Sequence, residues 1–174
     1  MSFIHLRVAS AYSFKYGTTQ PRDLVARASE LEMPALALTD RDGLAGAIRF
    51  TKAAVTHGIA PIIGVNLAIR IGDTSGALPR VTVLAHGDGG WRSLVRLMTG
   101  LQMNSPDRTP VLTPELLEKF SSYTSQLHLL HGPESPVSQA LTAHRFDAAL
   151  TIFNQTRDLF ADHAIECVSH LAPG

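Results

Sequence analysis

The chain has 174 residues in which 15 Lys and Arg balance 15 Asp and Glu, which is room for one domain and gives no bulk charge to make it a nucleic-acid clamp. With 45% hydrophobic and 17% charged residues, the composition excludes a chain that stays disordered for want of burial. Cys167 is the single cysteine, which excludes an internal disulfide and a structural cysteine zinc site, and a reducing, cytoplasmic setting fits.

The opening MSFIHLRVAS lacks a basic region followed by an apolar stretch, and no apolar run approaches bilayer length. A soluble cytoplasmic protein with no membrane partner is expected. Residues 3–9, FIHLRVA, read as a strand with Ile4, Leu6 and Val8 on one face and His5, Arg7 and Ala9 on the other. Residues 21–32 read as an amphipathic helix, with Pro21 in the first turn and Leu24, Val25, Ala28 and Leu31 on its buried stripe. ALALTD, residues 35–40, is a second strand. Residues 43–58 form a second helix closed by Gly58, and PIIGVNLAI, residues 61–69, a third strand. This β-α-β-α-β order, with short connections and strands apolar on both faces, predicts an α/β fold with parallel crossovers.

After a Gly-rich loop at residues 72–78, RVTVLAHG is expected as a fourth strand and WRSLVRLMTGLQ as a third helix. Residues 104–114 read as a proline-bearing loop and residues 114–121 as another helix. LHLLHG then reads as a fifth strand, SPVSQALTAHR and FDAALTIFNQTRDLF as helices, and IECVSHL as a sixth strand. A closed parallel barrel takes roughly 200–250 residues, so the ending LAPG reads as a cut, and residues 1–174 as the N-terminal portion of a longer chain.

Reactive groups of α/β folds gather at the carboxyl ends of strands. That rule directs attention to His5 and Arg7, to Asp40, Arg41 and Asp42, to Asn66, and to His86 and Asp88. Gly64 and Gly87 could bring backbone close to an anion, but TDRDGLAG has neither the Lys-Ser/Thr of a P-loop nor the full dinucleotide pattern. His57, His128, His144, His163 and His170 lack a second ligand at metal spacing and read as structural. His131, before Gly132, could face the mouth, although a structural role is the preferred reading there too. Trp91 reads as core or an interdomain contact.

Three blocks, FIHLRVASAYSFKYG, DLVARASELEMPALALTDRDGLAGAIRF and AAVTHGIAPIIGVNL, resemble the N-terminal PHP domain (polymerase and histidinol phosphatase) of bacterial DNA polymerase III alpha subunits and their error-prone relatives. The resemblance implies a distorted TIM-like β/α barrel, incomplete in this chain. It also implies a metal site that begins with a His-x-His pair on the first strand. Further ligands would come from an acid in the following turn, a His after Thr-Asp on the second strand and a Glu closing the third. At these vestigial positions stand His5, Arg7, Tyr16, Arg41, which follows Asp40, and Asn66.

A guanidinium offers no lone pair and repels a cation, and one imidazole does not hold zinc or manganese against water. The expectation is therefore no bound metal, no cofactor, no catalytic residue in this segment and no hydrolysis. Arg7 and Arg41 are expected to replace the missing cations by pairing with Asp40 or Asp42, and a pocket of that kind can contact a phosphate or other anion. By resemblance the parent is a DNA-directed DNA polymerase, a nucleotidyltransferase of replication or translesion repair. It would use magnesium and meet DNA through residues outside this segment, whose own partner is the remainder of the polymerase chain. The alternatives are a free-standing PHP-type phosphoesterase with a reduced metal set, and a phosphate-binding module.

Overall fold

The computed structural model describes residues 3–71, 76–105, 109–157, 159–160 and 162–168. The helices form where an apolar stripe at helical spacing meets a suitable start. In α1 (Pro21–Glu30) proline opens the first turn and Val25 and Ala28 are buried, while Leu31, expected on the same stripe, is half exposed past the helix end. In α2 (Ala47–Thr56) the buried set is Ala47, Phe50 and Ala54. Gly58 adopts the left-handed backbone just beyond its end, as its position implies. In α3 (Gly87–Met103) the stripe is Leu94, Leu97, Met98 and Leu101, and the helix begins earlier than expected, at Gly87.

Between these helices lie β1 (Ala35–Leu38), β2 (Ala60–Ile69) and β3 (Arg80–Ala85). The two-residue β4 (Val111–Leu112) sits inside the expected loop and pairs with β2. Then follow α4 (Pro114–Lys119), α5 (Ser121–Thr124), β5 (Leu127–His131), α6 (Pro136–Thr142), α7 (Phe146–Arg157) and β6 (Asp162–Ile165). Thr113 and Ser135 cap α4 and α6 by accepting from the backbone N–H of Leu116 and Ser138. Among the described residues no helix is long and apolar enough to cross a membrane.

The strand order is β1-β2-β3-β5-β6, and the sheet is mixed, which corrects the parallel expectation. β1–β2, β2–β4 and β5–β6 are parallel, whereas β3 runs antiparallel to both β2 and β5. Ten residues, of which 72–75 of the expected Gly-rich loop lie outside the described residues, separate β2 from β3, too few for the helical crossover a parallel neighbour needs. Arg80, at the start of β3, pairs in register with Ala68 near the end of β2. Its far end, Ala85, therefore lies at the opposite edge of the sheet.

Two further expectations are corrected. Residues 3–9 form no regular strand. They run beside β1 through Ala37 N–H to His5 C=O at 3.0 Å and Thr39 N–H to Val8 C=O at 2.8 Å. The two acceptors lie three residues apart while the donors lie two apart, so the ladder slips and the expected alternation of faces is lost. Ile4 and Leu6 are exposed, and only Val8 of the expected buried face packs against the cluster of Val25, Leu36, Leu38 and Phe50. The last strand lies at Asp162–Ile165, before most of IECVSHL, of which residues 169–171, with His170, fall outside the described residues. Among the described residues β1 and β6 end the path and the sheet is not closed.

The main core, with Val65, Leu67, Val83, Leu97, Leu101 and Leu129, lies between the β2–β3–β5 face and α3 and α4. Each such residue contributes roughly 1.5–3 kcal/mol by burial, which fixes the strand ends that carry the polar residues described next.

Candidate functional site

Asp40 follows β1 and is 2% exposed. It accepts from Ser10 N–H at 2.6 Å, from Ser10 Oγ at 2.8 Å and from Ser13 Oγ at 2.7 Å. Ser13 Oγ in turn accepts from Arg41 N–H at 2.9 Å. This buried acid thus anchors the loop at residues 10–17 to the strand end. The loop needs glycine at position 17, where a Cβ would fall 2.0 Å from the Ser10 carbonyl oxygen. Gly46 is also required, since a Cβ there would meet Asp40 Oδ2 at 2.9 Å.

The anchored loop places Tyr16 against Arg41, whose guanidinium lies 3.6 Å from the ring centroid, a cation–π contact. Arg41 Nη2 donates to both oxygens of Glu134, at 3.1 and 3.2 Å. Arg7 Nε lies 3.3 Å from Glu166 Oε2. Arg80 donates from Nη2 to Asp42 Oδ1 at 2.7 Å and from Nε to Asn66 Oδ1 at 2.5 Å. Arg7 and Arg41 do pair with carboxylates, but with Glu166 and Glu134; Asp40 is held by serines and Asp42 by Arg80. The expected partners are corrected on that point. The reason is occupancy: the buried Asp40 carboxylate is taken up by Ser10 and Ser13, while Glu134 and Glu166, just after β5 and β6, meet the two guanidiniums.

Four of the six vestigial positions, Arg7, Tyr16, Arg41 and Asn66, line one small cavity of about 140 Å³ together with Ala9 and Thr39. Asp40 lies beneath it, hydrogen-bonded to the rim loop. His5 does not join the lining: it is exposed and packs edge-on against Phe3, with centroids 4.8 Å apart. The slip of the first segment is the cause, because residues 5 and 7 share a direction only on a regular strand.

The donors present do not fit a divalent cation. Two lining side chains are guanidiniums, Tyr16 is stacked on one of them, the Asn66 carbonyl is engaged by Arg80, and the Asp40 carboxylate is filled by serine donors. Among the described residues no three His, Cys, Asp or Glu side chains come together as a metal-binding group.

Arg80, Glu134 and Glu166 belong to the site and were not singled out in the sequence. Glu166 closes on Gly132, where a Cβ would lie 2.6 Å from Glu166 Oε2. His86 and Asp88 leave the candidate set, because the antiparallel β3 carries them to the other edge of the sheet. There Asp88 lines a separate groove with Trp91, Ile48 and Pro61, and His86 packs edge-on against His128. Gly64 serves packing: a Cβ would meet Leu84 Cδ2 and the Val83 carbonyl oxygen at 2.6 Å.

His131 does not face the mouth. It is fully buried beside Phe153 and His163, with Nε2 3.2 Å from Thr156 Oγ1 and Nδ1 without a partner among the described residues. Burial pushes its imidazole down to about 4, and the neighbouring His163 adds to the shift.

A mixed sheet flanked by helices, with a polar cluster at the ends of β1, β2, β5 and β6, defines the class of this protein as α/β with a strand-end site. The PHP domain family model matches residues 5–170, and the chain belongs to that family. The chain is 40% identical over 124 residues to an error-prone DNA polymerase of Corynebacterium efficiens, covering 70% of this chain and 11% of that one. It is 39% identical over 140 residues to the DNA polymerase III subunit alpha of Buchnera aphidicola, covering 80% of this chain and 12% of that one. The chain thus spans about a tenth of the length of the curated relatives it matches. Among solved structures it is similar to a two-domain protein containing a predicted PHP-like metal-dependent phosphoesterase from Bacteroides vulgatus. That likeness has a TM-score of 0.49 and 12% identity, over 88% of this chain and 48% of that one.

Proposed function

We propose that this chain is the N-terminal PHP segment of a DNA polymerase III alpha-type polymerase, of the error-prone or the replicative class, and that within it the segment is a metal-free scaffold. The parent would extend DNA by nucleotidyl transfer with magnesium, through residues outside this segment, and the segment's partner would be the polymerase body. Both classes of polymerase stand among its relatives. The observation that carries the scaffold reading is that Arg7 and Arg41, at positions where the resemblance implies metal ligands, are each paired with a glutamate from another strand end. Ion pairs of this kind tie strand ends together without a cation, and they offer no activated water for hydrolysis.

Two measurements test the reading. After equilibration with zinc, iron or manganese and removal of excess, the purified chain should retain no stoichiometric metal and show no chelator-sensitive hydrolysis of a phosphate monoester. Retained metal with chelator-sensitive turnover would instead establish the free-standing phosphoesterase. The downstream reading frame tests the parent: a polymerase body in frame is expected, and a stop codon directly after Gly174 refutes that part.

A further inference from the structure

We propose that the groove between α2 and α3 is the surface on which this segment docks to the remainder of its parent chain, its occupant an amphipathic helix of the polymerase body; this rests on the polymerase reading above. Because β2 is followed directly by β3, the chain supplies no helix between α2 and α3 among the described residues, where an α/β sheet is ordinarily covered by a crossover helix. The groove, of about 340 Å³, has Pro61 and Ile63 as its floor, Ile48 on the α2 wall and Trp91 on the α3 wall. Ile63 packs against the main core yet is only partly buried, so the apolar face of the sheet continues past the side chains that cover it. α2 carries two apolar stripes where a surface helix needs one. Ala47, Phe50 and Ala54 are buried, whereas Ile48 and Val55, two turns apart on its flank, are 57% and 68% exposed. A second hollow along Ile48, Thr51 and Val55 prolongs the groove. Apolar anchors at i and i+7 facing an aromatic wall form the pattern that receives a helix, and the exposed Asp88 in the lining favours a cation on that helix. The match to the Corynebacterium efficiens polymerase covers 11% of that chain, so a parent of that length holds most of its residues outside this segment, and these are available to cover the apolar face the segment leaves open.

Photocrosslinking in the parent polymerase, expressed from its complete reading frame, tests this. With the photoreactive residue benzoylphenylalanine in place of Val55, irradiation and peptide mapping should join position 55 to one stretch beyond residue 174 of the same chain. The same probe at Leu150, exposed on α7, should not reach that stretch. A second measurement places a site-specific protease site directly after Gly174. After cleavage the segment should stay with the polymerase body through gel filtration. Ile48→Asp combined with Val55→Asp should weaken that retention roughly thirtyfold or more, the loss that follows from removing a hot-spot anchor, and Leu150→Asp should leave it unchanged. Circular dichroism of the cut segment checks folding, and the crosslink from position 55 decides the matter if the double variant does not fold. Crosslinks from position 55 to a second copy of the segment, or to no part of the body, overturn the proposal, as does retention that the double variant does not weaken. A reading frame that stops directly after Gly174 refutes the parent and the docking together, whereas a polymerase frame without these crosslinks refutes the docking alone.

Discussion

Replacing Asp40 by alanine removes the acceptor of three donors at once: the Ser10 N–H, the Ser10 hydroxyl and the Ser13 hydroxyl. Both serines are fully buried, so water does not readily replace the carboxylate. An orphaned buried donor costs about 1–3 kcal/mol. The two hydroxyls can rotate and recover part of this, whereas the backbone N–H cannot. The expected loss is roughly 3–5 kcal/mol, or a melting temperature lower by roughly 6–20 °C in a chain of this size. Asp40→Asn keeps one acceptor oxygen and should lose about half as much. Urea unfolding followed by circular dichroism measures both, with the unchanged urea slope confirming that stability alone has moved. A loss below about 1 kcal/mol for Asp40→Ala would refute the reasoning, because the loop at residues 10–17 would then be held by something other than this acid.

Because His131 titrates near 4 in the folded chain and near 6.5 unfolded, the unfolded state binds its proton first. Its contribution is fully present above about pH 6.5 and is lost as pH falls toward 4, amounting to about 3 kcal/mol. Unfolding free energies from pH 7 to 4 should show that slope and His131→Leu should flatten it; an unaltered slope refutes the assignment. Gly132→Ala should cost under about 1 kcal/mol, because its Cβ would meet only the Oε2 end of the Glu166 side chain, which can swing aside at the expense of the contact with Arg7. That cost should largely vanish in a Glu166→Ala background, a non-additivity that a double-mutant cycle measures; additive losses count against the contact.

The first two helices, the core of β2 and the class of fold were legible in the chain because each rests on local periodicity. Pro21, the Val25–Ala28 stripe, the Phe50–Ala54 stripe and Gly58 act within a turn or two of their own positions. The vestigial positions came from the resemblance to the PHP domain and not from periodicity, and four of them line the cavity. The partners were not legible. Glu134 and Glu166 reach Arg41 and Arg7 only after β5 and β6 are laid beside β3, and no local signal marks a charge whose counterpart is more than 90 residues away in the chain.

Strand direction was the larger omission. An apolar strand reads the same in either direction, so burial patterns do not distinguish a parallel neighbour from an antiparallel one. The reversal of β3 exchanged Arg80 for His86 and Asp88 at the mouth. The slip in residues 3–9 likewise turned His5 away from Arg7. By itself the sequence determined which residue types stand at the strand ends, and therefore that Arg7 and Arg41 bring cations to the cavity. Only the tertiary structure decided which carboxylates neutralise them, because that depends on the order and direction of strands far apart in the chain.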